Sequence, residues 1–168
     1  NAIASVRVQA FTSSAAGGQL GRAVSGVGNF LRDGTPGIAL GAPMVTPPGG
    51  TVNAGAVYVV SYRTLSTLTA GGAIDVTRIG QSGTTGLAGV RFVGTALSGS
   101  AGFSLATAGN VNGDTASAGT GGDDLLIGEP NGVSVGTSPI INGGDAYLIY
   151  GAPNLQASQS DIGGGQLA

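Results

Sequence analysis

Three short segments recur in the same order along the chain, and this internal repeat constrains the fold more than any other feature of the sequence. The matched pairs are residues 21–29 with 102–110, residues 38–43 with 125–130, and residues 55–60 with 144–149. The offset grows after the first pair, because the second copy carries extra residues near 115–121. Units repeated in this way bury their apolar faces by stacking on their neighbours.

Each copy is predicted to form short β-strands. Residues 38–40 and 125–127 are continuous apolar runs, which are typical of strands buried on both faces. The other predicted strands are apolar or rich in valine, isoleucine and tyrosine. They are residues 23–25, 104–106, 56–62, 146–150, an outer strand at 90–93 and its counterpart at 6–8. Turn residues separate these segments, and none of them has a sustained helical period.

Four short strands per repeat are typical of a propeller blade. We therefore predict an all-β fold of tandem four-stranded antiparallel blades of a β-propeller, with about two blades plus the start of a third. The first blade, with its outer strand and linker, takes residues 1–97, the second takes 98–163, and a third begins at 164–168, which resemble 17–21. A closed propeller needs about four blades, so we expect completion by a longer chain. The alternatives are association with copies of itself and an open stack capped by neighbours.

Composition favours an ordered β protein and excludes several classes of function. Only 8% of residues are charged, but the mean hydropathy of +0.30 and the net charge of −2 are unlike those of a disordered chain. The six basic residues are single, scattered arginines, which argues against nucleic acid or anionic lipid as a partner. Histidine and cysteine are absent, which excludes disulfides, thiolate metal sites and a Ser-His-Asp triad. No apolar run approaches the ~18 residues of a membrane span.

The second copy carries four motifs in a fixed order. They are Ala101-Gly102-Phe103-Ser104-Leu105-Ala106, Asn110-Val111-Asn112-Gly113-Asp114, Asp124-Leu125-Leu126-Ile127-Gly128-Glu129-Pro130 and Gly144-Asp145-Ala146-Tyr147. The first copy retains Ile38-Ala39-Leu40-Gly41-Ala42-Pro43 and Gly55-Ala56-Val57-Tyr58-Val59. Together these motifs resemble FG-GAP repeats, which form the blades of integrin α-subunit propellers and of many bacterial surface proteins. The resemblance implies an extracellular or cell-surface propeller.

The second of these motifs, Asn110 to Asp114, is a candidate calcium-binding loop. Asn110, Asn112 and Asp114 occupy alternating positions, from which their oxygens can face one Ca²⁺ ion. The FG-GAP resemblance implies that Asp124 closes the ligand shell, with Asp123 beside it. The alternative is a plain turn, because asparagine and aspartate side chains hydrogen-bond to their own backbone.

The corresponding loop of the first copy is a poorer candidate for calcium. Asn29 and Asp33 remain at matching positions, but Leu31 and Gly37 stand in place of the other two ligands. We therefore expect this loop to be a turn without a bound cation.

The sequence predicts a structural or adhesive module and no enzyme. Asp123 and Asp124 are adjacent, and adjacent strand residues face opposite sides, so they form a poor acid and base couple. The expected partners are other protein chains or copies of this chain, with glycans as a further class. The alternative function is a glycan-binding or hydrolytic propeller of a secreted protein. It would need carboxylates or aromatic side chains gathered on one face.

Overall fold

A computed structural model describes residues 9–48, 50–68, 72–114, 122–133, 142–155 and 158–162 of the 168-residue chain. The predicted strand at 6–8, the extra residues at 115–121 and the third copy at 164–168 lie outside these ranges. The described part is mostly β-structure, as predicted. The strands are β1 (Ala10–Thr12), β2 (Ala23–Gly26), β3 (Gly37–Ala42), β4 (Ala56–Ser61), β5 (Ala73–Asp75), β6 (Val90–Gly94), β7 (Ser104–Gly109), β8 (Asp124–Glu129), β9 (Asp145–Ile149) and β10 (Ser158–Ile162).

The first copy forms an antiparallel meander of β2, β3, β4 and β6, in that spatial order. The strand predicted at 90–93 is confirmed as β6, but it is not the outermost strand of its sheet, because β10 pairs beyond it. The strand predicted at 56–62 ends one residue early, because the Ser61 side chain accepts a hydrogen bond from the backbone N–H of Thr64 and caps a one-turn helix, α1 (Tyr62–Ser66).

The central strands β3 and β4 are buried on both faces, which explains their continuous apolar sequence. Along β4, Val57 and Val59 pack into a core shared with the second copy. Tyr58 and Val60, on the opposite face, pack into a second core. Residues of the same chain cover this second core, including the parallel pair of β1 and β5, a pairing that the repeat pattern did not predict.

Among its described residues, the second copy forms a three-stranded antiparallel sheet of β7, β8 and β9. The strand that follows it, β10, pairs in parallel with β6 of the first sheet instead of extending the second sheet. This differs from the predicted four-stranded second blade. Pairing on β6 covers the open edge of that strand and buries Ile162 completely in the shared core. Among the described residues the two sheets do not close into a ring.

The two sheets pack face to face, and the matched strands β2 and β7 lie side by side. Phe30 and Phe92 meet edge to face in the shared core, with ring centroids 6.2 Å apart. The backbones approach closely at Gly41, where any side chain would collide with the carbonyl of Gly102. In the ranges described, none of the helices has the length and apolar character needed to cross a membrane.

Candidate functional site

The two candidate loops, predicted as separate sites, lie against each other where the sheets meet. The backbone N–H of Asn29 donates to Asp123 Oδ2 over 2.8 Å. Arg32, three residues further on, forms an ion pair with Asp114. A side chain at Gly28 would collide with the Asp123 carboxylate, so the first loop must approach without one. We call the set Asn29, Arg32, Asp114 and Asp123 the loop junction.

The loop of the second copy brings its three predicted ligands together. Asn110 Nδ2 donates to the carbonyl of Asp114 at 2.8 Å, and Asn112 Nδ2 donates to Asp114 Oδ2 at 2.7 Å. The backbone N–H of Asp114 donates back to Asn112 Oδ1 at 3.1 Å. These bonds form a self-capped turn of the kind that asparagine and aspartate favour.

Asp124 begins β8 next to this loop, and its carboxylate is fully buried. Oδ2 accepts from the backbone N–H of Val111 at 2.8 Å, and Oδ1 accepts from that of Gly151 at 3.0 Å. A buried carboxylate is stable only when its oxygens are satisfied in this way. Asp124 therefore ties the turn after β7 and the segment after β9 to the start of β8.

The electrostatics of the loop junction depend on Arg32. Its side chain is 16% exposed and that of Asp114 is 30% exposed. Desolvation opposes ionisation of Asp114, but hydrogen bonds from Asn112 and Arg32 and the positive guanidinium together lower the pKa of Asp114. Arg32 thus places a positive charge against Asp114, which is the carboxylate among the ligands predicted in this loop. The sequence signal for this role is an arginine between Asn29 and Asp33, the two remaining ligand positions of the first loop.

The donor set fits a calcium ion only in part. Within the described ranges, no three acidic side chains form a group able to hold a metal ion. Asp124 is committed to two backbone amides, and Asp114 Oδ2 to Arg32 and Asn112. Asp114 Oδ1 is buried and accepts no hydrogen bond. Arg32 therefore opposes calcium coordination in this loop, because its positive charge lies against the Asp114 carboxylate and one oxygen of that carboxylate is already bonded to it.

In the first loop, the predicted residues cap turns. Asn29 Oδ1 accepts from the backbone N–H of Gly34 at 3.0 Å. Asp33 Oδ1 accepts from the N–H and the hydroxyl of Thr35 at 3.0 and 2.6 Å. Burial alone would raise the pKa of Asp33, but hydrogen bonds from Ser61 and Thr35 outweigh burial and lower it. These contacts account for both polar residues by local turn structure.

A second polar cluster, missed from the sequence, lies at the other end of the second sheet. Glu129, the last residue of β8, is fully buried. The hydroxyl of Tyr147 donates to Glu129 Oε2 at 2.7 Å and lies 3.4 Å from Asp145 Oδ2. Glu129 Oε1 has no hydrogen-bond partner, and burial raises the pKa of Glu129. The sequence signal is the glutamate at the position where the first copy has the buried Ala42.

No model of a known protein family matches the chain, and no curated protein matches it significantly. The FG-GAP assignment therefore rests on the motifs alone and stays a proposal.

Proposed function

We propose that the chain is a non-catalytic structural module of an extracellular repeat protein of the FG-GAP propeller type, and that its units pack head to tail on further units. One observation carries this proposal. Ala39 of the first copy is buried against the second sheet, whereas Leu126, at the matched position, is 40% exposed. The second copy thus presents to solvent the face that the first copy buries against its neighbour.

The same relationship holds along the neighbouring strands. Val57 and Val59 are buried in the shared core, while their counterparts Ala146 and Leu148 point away from it. We call this side of each sheet the back face. The opposite side, the front face, carries Leu40 in the first copy and Ile127 in the second, and Ile127 is the one buried in the shared core. The existing contact is therefore back face to front face, a heterologous arrangement. Because β1, β5 and neighbouring segments cover the middle of the first copy's front face, a further unit would dock at its β2 side.

In the part of the chain that the structure describes, the front face of the first copy is exposed along β2. Val24 is 65% exposed, whereas its counterpart Leu105 packs against the shared core. A groove of about 240 Å³ runs beside Val24 and is lined by Ile38 and Leu40. An apolar surface of this kind, matched by an exposed apolar back face, marks a docking surface for another unit. The occupant that fits it is the back face of a second copy.

The extracellular location and the calcium-stabilised loop are parts of the same proposal, and both rest on the motif resemblance. Calcium would bind the oxygens of Asn110, Asn112 and Asp114 in the loop after β7, with Asp124 closing the shell. There it would stiffen the turn beside the junction of the two units.

Sedimentation velocity over a concentration series tests the packing proposal. We expect the chain to self-associate, and Val24→Glu and Leu126→Glu each to abolish association, because each blocks one side of the contact. Val52→Glu is the matched control, because Val52 is also exposed, at 55%, but lies in the loop between β3 and β4 and not on a strand of either sheet.

Mixing the two variants gives the sharper result. A head-to-tail contact joins the intact front face of Leu126→Glu to the intact back face of Val24→Glu, so the mixture should form dimers and nothing larger. A monomeric wild-type chain at all concentrations, or variants that stay monomeric when mixed, would contradict the proposal.

A further inference from the structure

A cavity of about 260 Å³ lies over the front face of the first sheet, under the loops that cover it. Its floor is formed by side chains of β4 and β6, and its walls by the segments around β1, after β3 and after β5. The lining residues with polar side chains are Ser14, Thr46, Tyr58, Thr77, Gln81 and Arg91. This volume is slightly below the usual range of ligand pockets, roughly 300–1,000 Å³, so the cavity suits only a small ligand.

The floor combines a positive charge with a neutral hydrogen-bond donor. Tyr58 of β4 and Arg91 of β6 are direct partners across the two strands, so their side chains share one face. Tyr58 is 2% exposed and Arg91 is 9% exposed. Burial raises the pKa of Tyr58, so the phenol keeps its proton and can donate. Both residues line the cavity, which places the positive charge of Arg91 beside the space that a ligand would fill.

The rest of the lining is neutral. Val45, Pro47 and Pro48 provide an apolar wall, and serine, threonine and glutamine side chains surround it. None of the described residues that line the cavity is acidic. The nearby carboxylate of Asp75 accepts from the N–H and hydroxyl of Thr77 at 3.0 and 2.8 Å, so it is committed to a local turn. The described lining residues thus offer donors and apolar surface to a ligand, and the nearest carboxylate, Asp75, is held in its turn by Thr77 outside the lining.

We propose that this cavity binds a small organic carboxylate. The planar guanidinium of Arg91 matches a carboxylate better than it matches a neutral group, and the Tyr58 hydroxyl provides a further donor. The apolar body of the ligand packs against Val45 and Pro47. An inorganic anion would leave that wall in contact with water, so the apolar wall favours an organic anion. This site lies apart from the loop junction. It shares the front face of the first sheet with the groove beside β2, because Tyr58 of its floor pairs with Leu40 of that groove.

Isothermal titration of the whole chain with sodium benzoate tests the site, with benzyl alcohol as the neutral analogue and sodium sulfate as the inorganic anion. We expect saturable binding of benzoate and at least tenfold weaker binding of the other two. Arg91→Gln should weaken benzoate binding at least tenfold. Arg78→Gln is the matched control, because Arg78 is an exposed arginine outside the cavity and its loss changes the net charge equally.

A second variant guards against misfolding of Arg91→Gln. Ala15→Phe fills the cavity from its wall and keeps the buried arginine, so it should block benzoate while circular dichroism stays unchanged. Three results would overturn the proposal: absence of benzoate binding at millimolar concentration, equal binding of benzyl alcohol, or sulfate binding that matches benzoate and depends on Arg91. If Arg78→Gln weakened benzoate binding as much as Arg91→Gln does, benzoate would be responding to overall charge and not to this cavity, and the proposal would fail.

Discussion

The guanidinium of Arg32 pairs with the carboxylate of Asp114, 82 residues further along the chain. Arg32 belongs to the loop that follows β2, and Asp114 to the matching loop that follows β7. The same two loops are also joined through Asn29 and Asp123. Equivalent loops of the two copies are therefore bound to each other by non-equivalent residues. This asymmetry fixes the register in which one copy docks on the other.

Loss of Arg32 should loosen this docking. We expect Arg32→Gln to lower the midpoint of thermal unfolding by a few degrees, because Asp114 loses its charged partner while the shared apolar core stays intact. The difference from wild type should shrink in high salt, which screens partly exposed ion pairs. Arg63→Gln is the comparison, since Arg63 is 67% exposed and its contacts with Asp33, 4.0 Å from Nε to Oδ2 and 2.8 Å from Nη2 to the carbonyl oxygen, stay within the first copy. Equal effects of the two substitutions on the midpoint would contradict a special role for Arg32.

Calcium binding should be weak in the wild-type chain and stronger without Arg32. Removing the guanidinium frees the Asp114 carboxylate to face the oxygens of Asn110 and Asn112. We expect titration calorimetry to show at least tenfold tighter calcium binding for Arg32→Gln. Adding Asp114→Asn to that variant should abolish calcium binding, because the carboxylate ligand is lost. Absence of calcium heat in both the wild-type chain and Arg32→Gln would eliminate the calcium site and leave the plain turn.

Hydrophobic pattern and repetition predicted the main strands because both can be read from the sequence without knowing which segments meet in the folded chain. The matched apolar runs became β3 and β8, and the valine-rich run at 90–93 became β6. The pairing of β10 with β6 could not be predicted in this way. It depends on which strand edge is open after the sheets have packed, and that is a property of the tertiary structure.

The candidate site was predictable in position but not in bonding. Spacing alone placed Asp114 in a turn with Asn110 and Asn112, and the structure shows that turn. No local pattern could indicate that Arg32, from the other copy, would be the partner of Asp114. Residues from different repeats meet when the sheets pack together. The repeat predicts that the sheets pack, but it does not say which side chains then touch.

Glu129 should make the chain less stable as the pH rises. Burial raises its pKa above the ordinary value of 4.5, so the folded chain holds this proton more tightly than the unfolded chain does. Its contribution is fully present below pH 4.5 and is lost as the pH rises through the raised pKa of the folded chain. Glu129→Gln should remove this loss and make the variant more stable than wild type in alkaline solution, as measured by urea unfolding. Glu129 is the only glutamate in the sequence, so one carboxyl ¹³C signal reports its pKa directly. A midpoint at or below 4.5 would contradict the prediction.

Phe30 should be costly to lose, because it lies in the core that the two copies share. It is completely buried and meets Phe92 edge to face. Phe30→Ala should therefore lower the free energy of unfolding by about 3–5 kcal/mol. Phe103 offers a matched comparison, because it also lies where the copies meet, but it is 40% exposed and is covered by Arg22 at 4.4 Å. Phe103→Ala should cost only about 1 kcal/mol, the range of an exposed cation–π contact. If urea unfolding gave equal losses for the two variants, the shared core would not be the main link between the copies.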